Sequence, residues 1–265
     1  CDTLYYVPAP GKRIALWRDI LLLSSLRSQV QHLVLHWHAS GLGQWLETQA
    51  MGWERRAAQR ALGGADLSIT LAPSLQADTE TLRPQNTTVV ENGIHDPFAE
   101  TGPPDRPPPA AATPRRMLFL GTGSVAKGLF HAIAALDHLP SKHTLTFAGA
   151  FPDATTAERF ATAKAQLGER LTHVGFAAEA ERRRLLATHD IMVFPTQYEH
   201  EAFPLVLIEA LAADLPIVTS PWRAIPHLLP PDFGFFADPT NPIDLADRIQ
   251  AALAAPPHGH HRSHF

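Results

Sequence analysis

One cysteine, Cys1, stands in the 265 residues, so no internal disulfide can form, and the expected compartment is a reducing one. No apolar run approaches the roughly 18 residues that a membrane-crossing helix needs. The charge balance has no basic excess, with a formal net charge of -4, which removes the electrostatic case for nucleic acid. No Gly-Lys-Ser/Thr is present, so the phosphate loop of nucleotide triphosphatases is missing. Gly121, Gly123 and Ala126 in "LGTGSVAKG" do fit a G-x-G-x-x-A spacing. The acid expected after the next strand is absent, however, since "HTLTFAG" ends in alanine and glycine, and a redox dinucleotide protein is therefore disfavoured. The opening "CDTLYYVPAP" lacks an initiator methionine and a leader pattern, and already reads as a strand. A chain incomplete at its N-terminus is the expectation.

What is present is a globular composition, 45% hydrophobic, with apolar runs and helical patterns in alternation. The candidate strands of the first half are residues 4–7, 32–37, 67–72 and 87–90, with helices over 13–30 and 52–62. In the second half the candidate strands are 116–121, 143–149, 171–176, 191–196, 216–220 and 233–238, with helices over 127–139, 156–167, 179–189, 204–213 and 241–255. Near-continuous apolar strands separated by helices imply parallel sheets covered on both faces. The Pro-rich stretch "TGPPDRPPPAAATP" over 101–114 suits neither helix nor central strand and reads as a linker. The expected organisation is a first domain over 1–100, that linker, and a second domain over 115–265. Ligands in such sheets bind beyond the carboxyl ends of the strands.

The segment "EHEAFPLVLIEALAADLPIVTS", residues 199–220, puts an acid inside an apolar helix. Pro204 suits the first helical position, and the pattern after it is apolar on all sides, which implies burial. Glu209 then needs a partner, because an unpaired buried carboxylate costs several kcal/mol. The partner is an arginine, a set of hydroxyl donors or a water-filled cleft. Glu201 precedes the helix, at the carboxyl end of a strand. The free N–H groups of a helix N-terminus favour phosphate, and carboxylates accept hydrogen bonds from sugar hydroxyls. The combination suits a nucleotide sugar.

This segment resembles the Glu-x7-Glu region of retaining GT-B glycosyltransferases of the large family numbered four. "VVENGIHDPF", "MLFLGTGSVAKGLFHAIAAL" and "THVGFAAEAERRRLLATHDIMVFPT" resemble the approach to that family's second domain, the first strand, loop and helix of its donor domain, and the strand–helix–strand before the glutamate pair. The resemblance implies an α/β fold of two Rossmann-like domains with parallel sheets facing a cleft, the first incomplete. It implies transfer of a sugar from a nucleotide diphosphate sugar to a hydroxyl acceptor with retention of configuration, without metal or cofactor, as in the synthesis of cell-surface polysaccharide or glycoconjugate. By the same resemblance Glu201 holds hydroxyls of the donor sugar and Glu209 those of the ribose. The backbone of Phe203, Pro204, Leu205 and Val206, and the loop at Gly121 and Thr122, meet sugar and diphosphate, while Lys127 neutralises the departing diphosphate. His38, at the end of an apolar strand, approaches the donor sugar, with His36 the second choice. Two residues depart from the family's usual pattern. Pro204 stands where glycine is frequent. Thr122 stands where an arginine usually follows the glycine, and this removes a bidentate phosphate contact.

Other readings of the same residues stay open: a salt-bridged Glu209, a solvated Lys127 at a helix start, a structural histidine at 36 or 38. At the level of function the alternatives are a GT-B nucleotide-sugar epimerase and a partial nucleotide-sugar-binding module without turnover. Lys12, Arg13 and Arg18 suit an acceptor phosphate or an anionic membrane surface, or simply the ends of an ordinary core helix; the hydroxyl acceptor is open, a lipid-linked one included. The expected location is the cytoplasm or its membrane surface. His258, His260, His261 and His264 form a histidine-rich tail that reads as a frayed terminus.

Overall fold

A computed structural model describes residues 2–106 and 113–255. Residues 107–112 of the proposed linker, Cys1 and the histidine-rich tail lie outside the described residues. The chain forms two compact units. The first contains Cys1–Asn92, Glu199–Phe203 and Arg223–Leu228; the second contains Gly93–Tyr198, Pro204–Trp222 and Leu229–Phe265.

The first unit begins with β1 (Thr3–Tyr6), α1 (Arg13–Leu26), β2 (His32–His36), α2 (Leu42–Thr48), α3 (Gly52–Leu62), β3 (Leu67–Thr70) and β4 (Thr87–Val89). Its four strands pair in parallel in the order β1-β2-β3-β4. Leu33 and Leu35 of β2, Leu16, Ile20 and Leu23 of α1, and Leu46 of α2 meet in one core with Ala58, Ala61 and Leu62 of α3. The apolar run at 32–37 therefore becomes a strand with both faces covered, as parallel sheets require.

Neither α2 nor the 3-10 turns over Pro73–Leu82 follow from local periodicity. Asp78, within those turns, accepts from the backbone N–H groups of Gly41, Leu42, Gly43 and Gln44, at 2.8, 3.0, 2.8 and 3.3 Å. One carboxylate thus satisfies the orphan donors at the start of α2 from more than thirty residues away in sequence.

The second unit runs through β5 (Arg116–Leu120), α4 (Leu129–Ala135), β6 (Thr144–Ala148), α5 (Ala154–Leu167), β7 (Leu171–His173), α6 (Glu179–Thr188), β8 (Ile191–Phe194), α7 (Leu205–Ala212) and β9 (Ile217–Thr219). A short helix, α8 (Ile225–Leu228), belongs to the first unit, and α9 (Pro242–Ala254) closes the second. The five strands are parallel in the order β7-β6-β5-β8-β9. Met117, Leu118, Phe119 and Leu120 of β5, and all four residues of β8, are buried.

Three expectations need correction. Residues 233–238 do not form a strand, and only an isolated bridge joins Phe236 to Thr219. Phe233 instead packs edge-on against Phe235 and Phe236, with ring centroids 5.8 and 4.8 Å apart. This apolar run is a local aromatic cluster. Pro204 is the N-cap of α7 rather than its first residue. The helix is also not buried all round, because Leu205 is 40% exposed.

Candidate functional site

In the second unit the chain builds outward from β5 to β6 and β7, then returns to place β8 on the other side of β5. The direction of winding reverses between β5 and β8. Loops leaving the carboxyl ends of two such strands diverge, and the crevice between them is where open α/β sheets bind ligands. The loop after β5 carries Gly121, Thr122 and Lys127; the chain after β8 leads to Tyr198 and, after Phe203, to α7.

The two loops are joined. The Gln197 N–H donates to the Ala126 carbonyl at 2.8 Å, and the Thr196 hydroxyl reaches the same carbonyl at 3.5 Å. This brings the Lys127 ammonium over two aromatic faces, 4.6 Å from the Tyr198 ring centre and 5.8 Å from that of Phe194. Aromatic faces attract cations, so the position of Lys127 at the switch point is set. Gly128, next in sequence, makes the approach possible. It has φ +88, and a Cβ there would lie 2.2 Å from the Pro195 carbonyl oxygen. Thr122 is exposed on the same loop. Tyr198 was not among the residues singled out from sequence; an aromatic residue between a strand end and Glu201 was the available signal.

Glu201, Phe203 and His38 all fall in the first unit. Glu201 and Phe203 are buried and His38 is exposed. The loop after β2, which carries His38, is tied to the segment that carries Glu201. The Ser40 hydroxyl donates to the Glu201 carbonyl at 2.8 Å and contacts that of Glu199 at 3.2 Å. His200 Nδ1 donates in turn to the Ser40 carbonyl at 3.0 Å. His36, the second choice, is buried, with Nδ1 bonded to the Tyr5 hydroxyl. Burial first, and the neighbouring His38 second, hold its imidazole below the usual range.

Pro204, Leu205, Val206 and Glu209 belong to the second unit. Pro204 is buried, and its ring leaves the entry to α7 without a side-chain cap. Glu209, in the second turn, has a cation partner: Arg182 Nη1 of α6 lies 3.5 Å from Oε1. Oε2 is buried with no hydrogen-bond partner. Burial pushes the carboxyl above the usual carboxylate range, and Arg182 draws it back in part. Glu209 and Arg182 line a cavity of about 310 Å³ within this unit, together with Ile94, Pro97, Leu186 and Leu205. Arg182 was not singled out from sequence, because nothing local selects one arginine in "ERRRLL" as the partner.

Among the described residues no three His, Cys, Asp or Glu side chains gather as a metal site, and no helix is long and apolar enough to cross a membrane. Lys12, Arg13 and Arg18 lie at and within the start of α1. Arg13 pairs with Glu54 at 2.9 Å and Arg18 with Asp19 at 2.8 Å, so both have partners in the first unit.

Comparison with known proteins places these features in context. The sequence pattern of the family described as "Glycosyl transferases group 1" matches residues 105–264, more than half of the chain. The chain is 33% identical over 168 residues to a glycogen synthase of Mycobacterium tuberculosis, covering 59% of this chain and 37% of that protein. It is 27% identical over 145 residues to an uncharacterized glycosyltransferase, MJ1607, of Methanocaldococcus jannaschii, covering 53% of this chain and 36% of that protein. The alignments therefore span little more than a third of these curated relatives. Among solved structures, a sucrose-phosphate synthase from Thermosynechococcus elongatus superposes with a TM-score of 0.76 at 20% identity, covering 99% of this chain and 68% of that one. Anabaena Alr3699/HepE, solved in complex with UDP and glucose, gives a TM-score of 0.70 at 20% identity over 95% of this chain and 68% of that one. At these identities the structural likeness bears on the fold alone, and it bears out the α/β GT-B reading.

Proposed function

Because the chain belongs to the glycosyl transferases group 1 family, we propose that it takes part in moving a sugar from a nucleotide diphosphate sugar to a hydroxyl acceptor. The observation that carries the reading is the placement of Lys127 at the reversal between β5 and β8, held over Tyr198 and Phe194. Charge grows on the diphosphate as its bond to the sugar breaks. A cation fixed where that charge develops stabilises the transition state more than the ground state.

In this reading the bond between the anomeric carbon and the diphosphate oxygen breaks. A new bond forms from the acceptor oxygen on the same face, and the acceptor's proton leaves with the diphosphate. Configuration is retained. Lys127 and the N-terminus of α7 supply the positive charge, so the proposal needs no metal. Glu201 and His38 orient the sugar, and Glu209 accepts hydrogen bonds from the ribose. The backbone from Phe203 to Val206 and the loop at Gly121 and Thr122 meet sugar and diphosphate. UDP stands in the crystal structures of Alr3699/HepE, which makes it the first nucleotide to try. The hydroxyl acceptor belongs to polysaccharide or glycoconjugate synthesis, and the reaction takes place in the cytoplasm or at its membrane surface.

Thr122 favours a second reading. It is exposed at the loop where a guanidinium would grip the phosphates, and the loss of one transition-state donor costs on the order of 3 kcal/mol, about a hundredfold in rate. On this reading the chain is a degenerate module that binds a nucleotide sugar without turnover.

Calorimetric titration with UDP, GDP and ADP tests the donor reading. One of the three is expected to bind, with affinity reduced at least tenfold by Glu209→Ala, the scale of a hydrogen bond to a charged group. Unchanged binding by that variant would sink the role given to Glu209. With a nucleotide sugar added, release of the free nucleoside diphosphate separates the enzyme from the binding module.

A further inference from the structure

Three arginines in succession, Arg182, Arg183 and Arg184, have three different partners. Arg184 forms a forked pair with Glu181 on its own helix, at 2.8 and 2.6 Å. Arg183 donates to the Thr101 hydroxyl at 2.9 Å and lies over the Phe98 ring. Arg182 leaves its own helix to face Glu209 on α7. Its contact of 3.5 Å is long for a charge-assisted hydrogen bond, which runs to about 2.7–2.9 Å. The pair is therefore an ion pair with slack in it.

That slack is unusual for the place. The Glu209 side chain is only 12% exposed, and burying a carboxylate is costly unless its lone pairs are satisfied. An ionised carboxylate offers about four acceptor sites. Among the described residues Arg182 is its only side-chain partner, and Oε2 has none. Both residues also line the cavity of about 310 Å³, where the apolar Ile94, Pro97, Leu186 and Leu205 stand beside His95, Glu179 and Arg183. Apolar walls with a few convergent polar groups are the general form of a small-molecule site. The unused acceptor capacity is what a vicinal pair of hydroxyls would fill.

We infer that Arg182 is a positioning residue for the nucleoside part of the donor: by facing Glu209 it keeps that carboxylate ionised and oriented to accept from a ribose diol, and so sets the preference for a ribonucleotide over a deoxyribonucleotide. The inference rests on the proposed donor role of Glu209 and adds to it the group that makes the role effective. Without Arg182 the buried carboxylate takes up a proton or turns away, and the ribose hydroxyls lose their acceptor. The base and the phosphates keep their own contacts.

The test compares ribonucleotide with 2′-deoxyribonucleotide. Calorimetry is run with UDP, GDP and ADP, and with the 2′-deoxy form of whichever binds, on the wild-type chain and on Arg182→Ala, Arg182→Gln, Arg182→Lys and Glu209→Ala. The neutral substitutions at 182 are expected to weaken the ribonucleotide about tenfold and the deoxy form less than threefold, so that the preference between them collapses. Lysine, which keeps the charge without the planar fork, restores part of the preference. A fall of equal size for both nucleotides overturns the inference, since it would mean a contact to base or phosphate or a loss of structure. An unchanged preference in the neutral variants overturns it as well. If these variants are silent while Glu209→Ala abolishes the preference, the inference fails and the donor reading survives. If Glu209→Ala binds as the wild type does, or none of the three nucleotides binds, both fail together. Alanine and glutamine give independent chances of a folded variant, at a site where the arginine side chain is 41% exposed.

Discussion

Glu209 lies in a helix whose other inward residues, Leu207, Ile208, Ala210 and Leu211, are buried and apolar. Burial raises its pKa above the ordinary carboxylate value, and Arg182 offsets only part of that. The direction fixes the sign of its effect on stability. The folded chain holds the proton more tightly than the unfolded one, so the contribution of Glu209 is intact below the unfolded pKa of about 4.3. It is lost as pH rises through the higher folded value. Replacing the carboxylate by an apolar side chain should therefore help at neutral pH. Glu209→Leu is expected to gain on the order of 1 kcal/mol at pH 7, because it removes a buried, half-satisfied carboxylate while the Arg182 left behind is 41% exposed and stays solvated. The gain shrinks towards pH 4. Urea unfolding at the two pH values checks this, and a gain of equal size at both would show that ionisation of Glu209 has no such cost. Sequence alone stated that this acid needs a partner. It left the partner's identity open, because the pairing of α6 with α7 is a property of the packed sheet.

Elements differ in how far their own residues determine them. The strand β8 was legible because four buried apolar residues in a row suit a central parallel strand. The helix α3 was legible because its apolar positions repeat at helical spacing. The helix α2 was not, since the carboxylate that satisfies its first N–H groups comes from Asp78. The run at 233–238 looked like a strand to any local criterion, yet its aromatic rings pack on one another. Of the candidate site, the strand ends could be read and the glutamate pair could be singled out, whereas the platform under Lys127 could not. That platform depends on β8 lying beside β5, which periodicity does not encode. The loop from β5 to α4 is the element on which it turns. Gly128→Ala is expected to destabilise the chain by at least about 2 kcal/mol, because the left-handed φ and the Pro195 carbonyl both oppose a Cβ. Nucleotide affinity should fall with it, since Lys127 is the adjoining residue. Chemical denaturation and the same titration measure both, and a stable variant with normal affinity would show that the loop relaxes freely.

At the scale of the whole molecule, four imidazoles among the described residues sit below their usual range, in each case first because of burial: His36, His131, His143 and His189. Nearby positive charge or imidazole lowers each further: His38 beside His36, Arg159 beside His131, Lys142 beside His143, and Arg116 beside His189, where the bond to the Leu185 carbonyl acts the other way. Here the unfolded chain binds protons more readily than the folded one. Their contribution is complete above the unfolded pKa of about 6.5 and is lost as pH falls below it. Asp66, Asp153 and Asp238, whose carboxyls are held low mainly by hydrogen bonds, add a second loss at more acid pH. Glu209 acts in the opposite direction over part of the same range. The expected result is a melting temperature that declines by several degrees from pH 7 to pH 5.5, well before the carboxylates titrate. A flat profile over that interval would count against neutral, buried imidazoles.

The division of the chain carries a consequence for inheritance. The first unit contains not only Cys1–Asn92 but also Glu199–Phe203 and Arg223–Leu228, which lie inside the stretch that otherwise builds the second. No single break in the gene therefore separates the two. A recombination that replaced everything after Asn92 would also replace Glu201 and the carbonyls that Ser40 holds. The newcomer would have to offer Ser40 an equivalent segment. Exchange between relatives is thus constrained by the path of the backbone at residues 199 and 201, which must meet the Ser40 hydroxyl whatever side chains it carries.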